Sequence, residues 1–157
     1  MKYPKLASEK SKRAEGGEPR QQYAALPWRI LGNGVEILLA SSRDTRRWVI
    51  PKGWPMKGRK PHMAAAIEAR EEAGLTGKIE KTKIGSFHYH KRFKNGADIL
   101  CRVDVFPMQV LRQAKHWPEQ GQRVTQWFTY ADAAEEVSEI ELKALITAFG
   151  KGKLSPA

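Results

Sequence analysis

Three glutamates fall close together in mid-chain, Glu68, Glu71 and Glu72, inside the run PHMAAAIEAREEA that opens at Pro61 and stops at Gly74. Ala, Glu, Met and Arg favour helix, proline is tolerated in a first helical turn, and glycine ends one. The run therefore predicts a helix from Pro61 or His62 to Ala73. At about 100° per residue, spacings of three and four hold the carboxylates within roughly 100° of arc. Like charges so placed cost a helix a few tenths of a kcal/mol per pair, about 0.2–0.5. A hard divalent cation among them removes that repulsion, and Mg2+ keeps waters that a phosphate or a nucleophile can replace. The loop ahead of the helix, PKGWPMKGRKP (51–61), brings Gly53 and Gly58 for close backbone approach. It also brings Lys52, Lys57, Arg59 and Lys60 as phosphate-compatible donors. A phosphate-attracting loop joined to a metal-attracting helix is an arrangement for phosphoryl transfer.

Other elements must position that pair. Tyr23 to Ile30 suggests a strand, with Pro27 favouring an edge or a break. Gly32-Asn33-Gly34 is a turn, Val35–Ala40 an apolar run of strand length, Ser41–Arg47 a basic loop and Trp48–Ile50 a short strand. Residues 77–89 look extended, and Asn95-Gly96 predicts a turn before a second extended segment, Ile99–Val110. A loop (114–122), a strand (124–129) and two helices, from Tyr130 to Val137 and from Glu139 to Phe149, complete the order. Strands dominate the middle and helices are few, so the class is mixed α/β or α+β. The expected division is a flexible basic N-terminal arm over 1–20, one domain over 21–150 and a loose tail over 151–157.

The 157 residues carry 28 Lys and Arg against 17 Asp and Glu, a formal net charge of +11. That surplus favours polyanionic partners without choosing among nucleic acid, acidic lipid and phosphate-rich small molecules. No stretch is long and apolar enough for a transmembrane helix, and MKYPKLASEK lacks the apolar core of a secretory signal. Cys101 is the single cysteine, so there is no internal disulfide framework, and a reducing, cytoplasmic compartment is expected.

With Gly53 and the ending EAREEAGL (68–75) in register, residues 53–75 resemble the signature of the Nudix hydrolases. That signature runs Gly, five residues, Glu, seven residues, then Arg-Glu-apolar-x-Glu-Glu-x-Gly-apolar. Two positions depart: Arg59 stands where the first Glu is expected and Ile67 where the Arg is expected. In the family that Arg helps hold the catalytic glutamate, so here the orientation must come from elsewhere, from Arg70 or from a basic residue outside the helix. The stretches WVIPKGWPMKG, HYHKRFKNG, CRVDVFPMQV and QRVTQWFTYADAAEEV resemble the diphosphoinositol polyphosphate phosphohydrolase branch.

The resemblance implies an α/β/α sandwich with a mixed central sheet. It also implies hydrolysis of a phosphoanhydride in a nucleoside diphosphate derivative, a dinucleoside polyphosphate or a diphosphoinositol polyphosphate. The implied metal set is Glu68, Glu71 and Glu72 with the Gly53 carbonyl, holding Mg2+ or Mn2+. Glu71 is chosen to orient or deprotonate water, with Glu119 in reserve, because some members place a base in that loop. Arg47, Lys52, Lys57, Arg59 and Arg92 are the phosphate-contact candidates, and Trp54 the candidate substrate wall. Trp48, Trp127 and Cys101 read as packed residues, and the four histidines show no metal-ligand spacing. The competing reading is a weakened module that binds RNA or another polyanion. It is the less favoured partner class, and membrane binding is not expected.

Overall fold

The protein is described by a computed structural model that covers residues 18–43 and 45–154. Its strands are β1 (Arg20–Leu31), β2 (Gly34–Ser41), β3 (Trp48–Val49), β4 (Lys52–Gly53), β5 (Leu75–Ile79), β6 (Gly85–Arg92), β7 (Asp98–Gln113) and β8 (Thr125–Thr129). Its helices are α1 (Pro61–Ala73), α2 (Tyr130–Glu136) and α3 (Ile140–Leu154). The strands form one mixed sheet. β1 runs parallel to β7, with Arg20 beside Cys101 and Trp28 beside Gln109, and every other pairing is antiparallel.

Strand alternation sorts side chains to two faces. Ala24, Leu26, Trp28, Ile37, Leu39, Val103 and Val105 face α2 and α3 and form the larger core with Ala133, Leu142 and Ile146. Ala25, Leu38, Phe106 and Met108 face α1 and meet Ala65, Ala69 and Ala73. Helices on both faces of a mixed sheet make an α/β/α sandwich, the architecture implied by the resemblance. Among the described residues, no helix is long and apolar enough to cross a membrane.

Pro27 is the first departure from expectation. It lies in the interior of β1, opposite Met108. On its other side β1 pairs with β4 at Tyr23 and Ala24 and with β2 from Trp28 onward. The Ala25 amide still donates to the Pro51 carbonyl at 3.0 Å. The amide that Pro27 lacks would point into the gap between these two partners, so the proline breaks no ladder bond. Two elements also run past the residues where the arm and the tail were expected to meet the domain. Arg20 already belongs to β1, and α3 continues through Lys151–Leu154 where a loose tail was expected. Residues 1–17 of the expected arm, and 155–157 of the tail, lie outside the described residues.

The β5–β7 register shifts between Thr76 and Gly77, and a Cβ on Gly77 would overlap the carbonyl oxygen of Gln109. Backbone gives less readily than a side-chain tip. Gly77→Ala should therefore lower the unfolding free energy by about 1–3 kcal/mol, read as a shifted urea midpoint at unchanged slope.

Candidate active site

Helix α1 begins at Pro61 without a side-chain cap and ends at Gly74, whose φ of 72° is the left-handed conformation that terminates a helix. Its alanines let it lie close on β1, and this closeness turns the acidic edge inward. Glu68 and Glu72 are 6% and 5% exposed. Met63 and Arg70 occupy the solvent face, and Ala73 is buried.

Glu68 and Glu72 differ by one turn, about 40° of arc, and their side chains are hydrogen bonded to each other. Glu71 is rotated about 100° from Glu72. It is half-buried and does not line the cleft; its backbone carbonyl accepts the Glu119 amide at 3.0 Å. Among the described residues, no three acidic, histidine or cysteine side chains are grouped to hold a metal. The cleft thus takes Glu68 and Glu72 from the expected trio, while Glu71, expected as ligand and as base, lies off its lining.

The pair forms part of a cleft of about 470 Å3. One wall is the loop after β2, where the Ser42 amide donates to the Arg47 carbonyl at 2.7 Å and Arg43 and Arg47 line the cleft. The facing wall is the β6–β7 hairpin, turned by Asn95-Gly96, which brings Lys91, Arg92 and Lys94. Lys52 enters from β4, with its ammonium 4.8 Å from the centre of the Tyr89 ring. The Tyr89 hydroxyl donates to Gln22 at 2.7 Å. The loop before β8 supplies Glu119 and Arg123. Arg123 donates from Nε to Glu119 Oε1 at 3.1 Å and places Nη2 3.8 Å from Glu72 Oε1.

Burial, above all, pushes the Glu72 carboxyl up to about 8; Glu68 adds to the rise, while Arg123 and Lys52 oppose it. Burial likewise pushes the Lys52 ammonium down, against the pull of Glu72 and Glu139. Two buried carboxyls sharing a hydrogen bond are hard oxygen donors that give up a proton to a cation. Gly53 completes the cradle, since a Cβ there would overlap the Glu68 carboxylate. These groups fit a divalent ion. A cation bound at the pair would displace the Glu72 proton, so affinity for Mg2+ should rise with pH and level off above about 8. Calorimetric titrations at about pH 6 and about pH 9 should show weaker binding and greater proton release at the lower value.

Of the expected phosphate contacts, Arg47, Lys52 and Arg92 reach the cleft. Lys57 and Arg59 do not; they are exposed at the turn before α1, where Gly58 with φ 76° reverses the chain. Trp54 is no substrate wall. It is 1% exposed and packs with Ile99 and Cys101 beneath the Arg20 guanidinium, 4.6 Å from the ring centre. Arg70 is exposed, whereas Arg123, from outside the helix, reaches Glu72. The sequence signal for Arg123 was available as an acid and a base four apart in the run EQGQR (119–123).

A cationic cleft thus lies over a buried carboxylate pair, on a mixed sheet between helices in an α/β/α sandwich. No family model matches the chain. It is 29% identical to the mitochondrial Nudix hydrolase 12 of Arabidopsis thaliana over 66% of this chain and 52% of that protein. It is also 29% identical to diphosphoinositol polyphosphate phosphohydrolase 3-alpha of Mus musculus, over 73% and 66%. The chain thus spans about half to two thirds of these relatives' lengths. A NUDIX hydrolase structure from Nitrosomonas europaea shares the fold with a TM-score of 0.64 at 20% identity, over 88% of this chain and 93% of that one. The chain is thus similar in sequence to Nudix hydrolases and shares their fold.

Proposed function

We propose that this chain hydrolyses a phosphoanhydride bond in a small polyphosphate, with Mg2+ or Mn2+ as cofactor. The substrate class is a nucleoside diphosphate derivative, a dinucleoside polyphosphate or a diphosphoinositol polyphosphate. The carrying observation is the hydrogen-bonded Glu68–Glu72 pair in a cleft walled by cations. The name of the mouse relative agrees with a substrate dense in phosphate.

In this reading Glu68 and Glu72, with the Gly53 carbonyl, hold the divalent ion. When bound, that ion neutralises phosphate oxygens and lowers the pKa of water. Arg47, Lys52 and Arg92 bind the phosphate chain and align its bridging bond. Glu119, rather than Glu71, takes the proton as the water oxygen bonds to phosphorus and the bridging P–O bond breaks. A positioned base of this kind contributes on the order of 10²–10⁴-fold.

The test is a panel of diphosphoinositol polyphosphate, dinucleoside polyphosphates, nucleotide sugars and capped RNA, each with and without Mg2+. Mg2+-dependent release of phosphate or nucleotide from at least one member is the expected result. The opposing result is no turnover on any member together with salt-sensitive binding of RNA that ignores Mg2+. The presence of Arg123 and Lys52 beside Glu72 is the observation that would favour that second, binding-only reading.

A further inference from the structure

We propose that Arg123 is the positioning residue of this site, holding Glu119 in place against α1. The inference rests on the hydrolytic reading above. Within α1, position 67 is the apolar Ile67 and Arg70 is exposed. Arg123 comes from a different segment, and its side chain is only 12% exposed. Each of its three nitrogens is aimed at a different element. Nε donates to Glu119 Oε1 at 3.1 Å, Nη1 donates to the Ser41 carbonyl at 3.3 Å, and Nη2 lies 3.8 Å from Glu72 Oε1.

The backbone beside Arg123 is clasped as well. The Ser41 amide donates to the Val124 carbonyl at 2.8 Å, and the Val124 amide donates to the Ser41 hydroxyl at 2.9 Å. The guanidinium therefore stands on a fixed base and ties loop, helix and the end of β2 together. The Glu119 backbone is held by its amide on the Glu71 carbonyl and by its carbonyl, which accepts the Gln122 amide at 3.0 Å, and its carboxylate is held by Arg123. Removing the guanidinium leaves the carboxylate free to rotate away from the reacting water. A planar fork makes three divergent contacts that a lysine ammonium on a flexible stem does not reproduce.

The experiment compares wild type, Arg123→Ala, Arg123→Lys, Glu119→Gln and the double variant, each checked for folding by thermal unfolding. On the substrate that wild type hydrolyses, Arg123→Ala should lose roughly 10- to 100-fold in kcat with KM within a factor of about three, and Arg123→Lys should not restore it. The double variant should lose no more than Glu119→Gln alone, because both changes remove the same positioned group. Without substrate or metal, amide hydrogen exchange in peptides covering 115–124 should speed up in both Arg123 variants. Multiplicative losses in the double variant, full rescue by lysine, or a KM rise at unchanged kcat would overturn the assignment. Unchanged exchange would overturn it whatever the activity. A wild type inactive on every substrate would sink the hydrolytic reading, and is thereby distinguished from an active wild type that tolerates Arg123→Ala.

Discussion

Glu72→Gln should abolish most metal-dependent hydrolysis while leaving the fold intact. The change keeps the side chain's shape and removes one of the two inward carboxylates. Loss of an outer-sphere partner costs a metal site about 10- to 100-fold, and loss of a ligand should exceed that, so a fall of at least about a hundredfold is expected. Stability should move the other way. The Glu72 carboxyl titrates near 8 in the folded protein, above its ordinary value of 4.5. The folded state therefore holds a proton that the unfolded chain has already released. Stability from this group is present below about 4.5 and is lost as pH rises through about 8. Glutamine carries no such dependence. Metal-free Glu72→Gln should melt at a higher temperature than metal-free wild type at about pH 9, with the gap closing near pH 5. A variant that hydrolyses as fast as wild type would remove Glu72 from the site.

Gly53→Ala should have nearly as large an effect on activity through a different route. The added Cβ would occupy the space now taken by the Glu68 carboxylate. That carboxylate is the end of a flexible side chain, so it moves while the backbone stays. The β4 pairing of Gly53 with Tyr23 and Lys52 with Ala24 should survive. What is lost is the Glu68–Glu72 contact. A fall of about 10- to 100-fold in Mg2+ affinity is expected, with circular dichroism and the melting temperature little changed. Calorimetry with Mg2+ reads the first and a thermal scan the second. Retained affinity would mean that Glu68 does not take part in cation binding.

Helix α1 was legible from Pro61 to Ala73 because local chemistry specifies both ends: proline suits a first turn and Gly74 adopts φ 72° at the last. The Asn95-Gly96 hairpin was legible for the same kind of reason. Pro27 misled because its cost depends on what lies opposite its missing amide, and a gap between β4 and β2 is not a property of residues 20–31. Lys57 and Arg59 looked like phosphate clamps by proximity in sequence to Gly53. Neighbours along a turn diverge in direction, however, and these two leave the cleft while Lys52 enters it.

The residues alone determined that this chain makes an acidic helix behind a glycine turn, within alternating strands, and carries a cationic surplus; those are local propensities, periodicity and charge. Only the tertiary structure decided which carboxylates of the helix reach the cleft. A helix shows every azimuth equally in its sequence, and the face turned inward is set by where its alanines find a sheet to rest on. Here Ala65, Ala69 and Ala73 settle against Ala25, Leu38 and Phe106, which carries Glu68 and Glu72 into the cleft and leaves Glu71 aside. The arginine that joins them comes from a loop fifty-one residues beyond Glu72, brought there by the clasp between Ser41 and Val124.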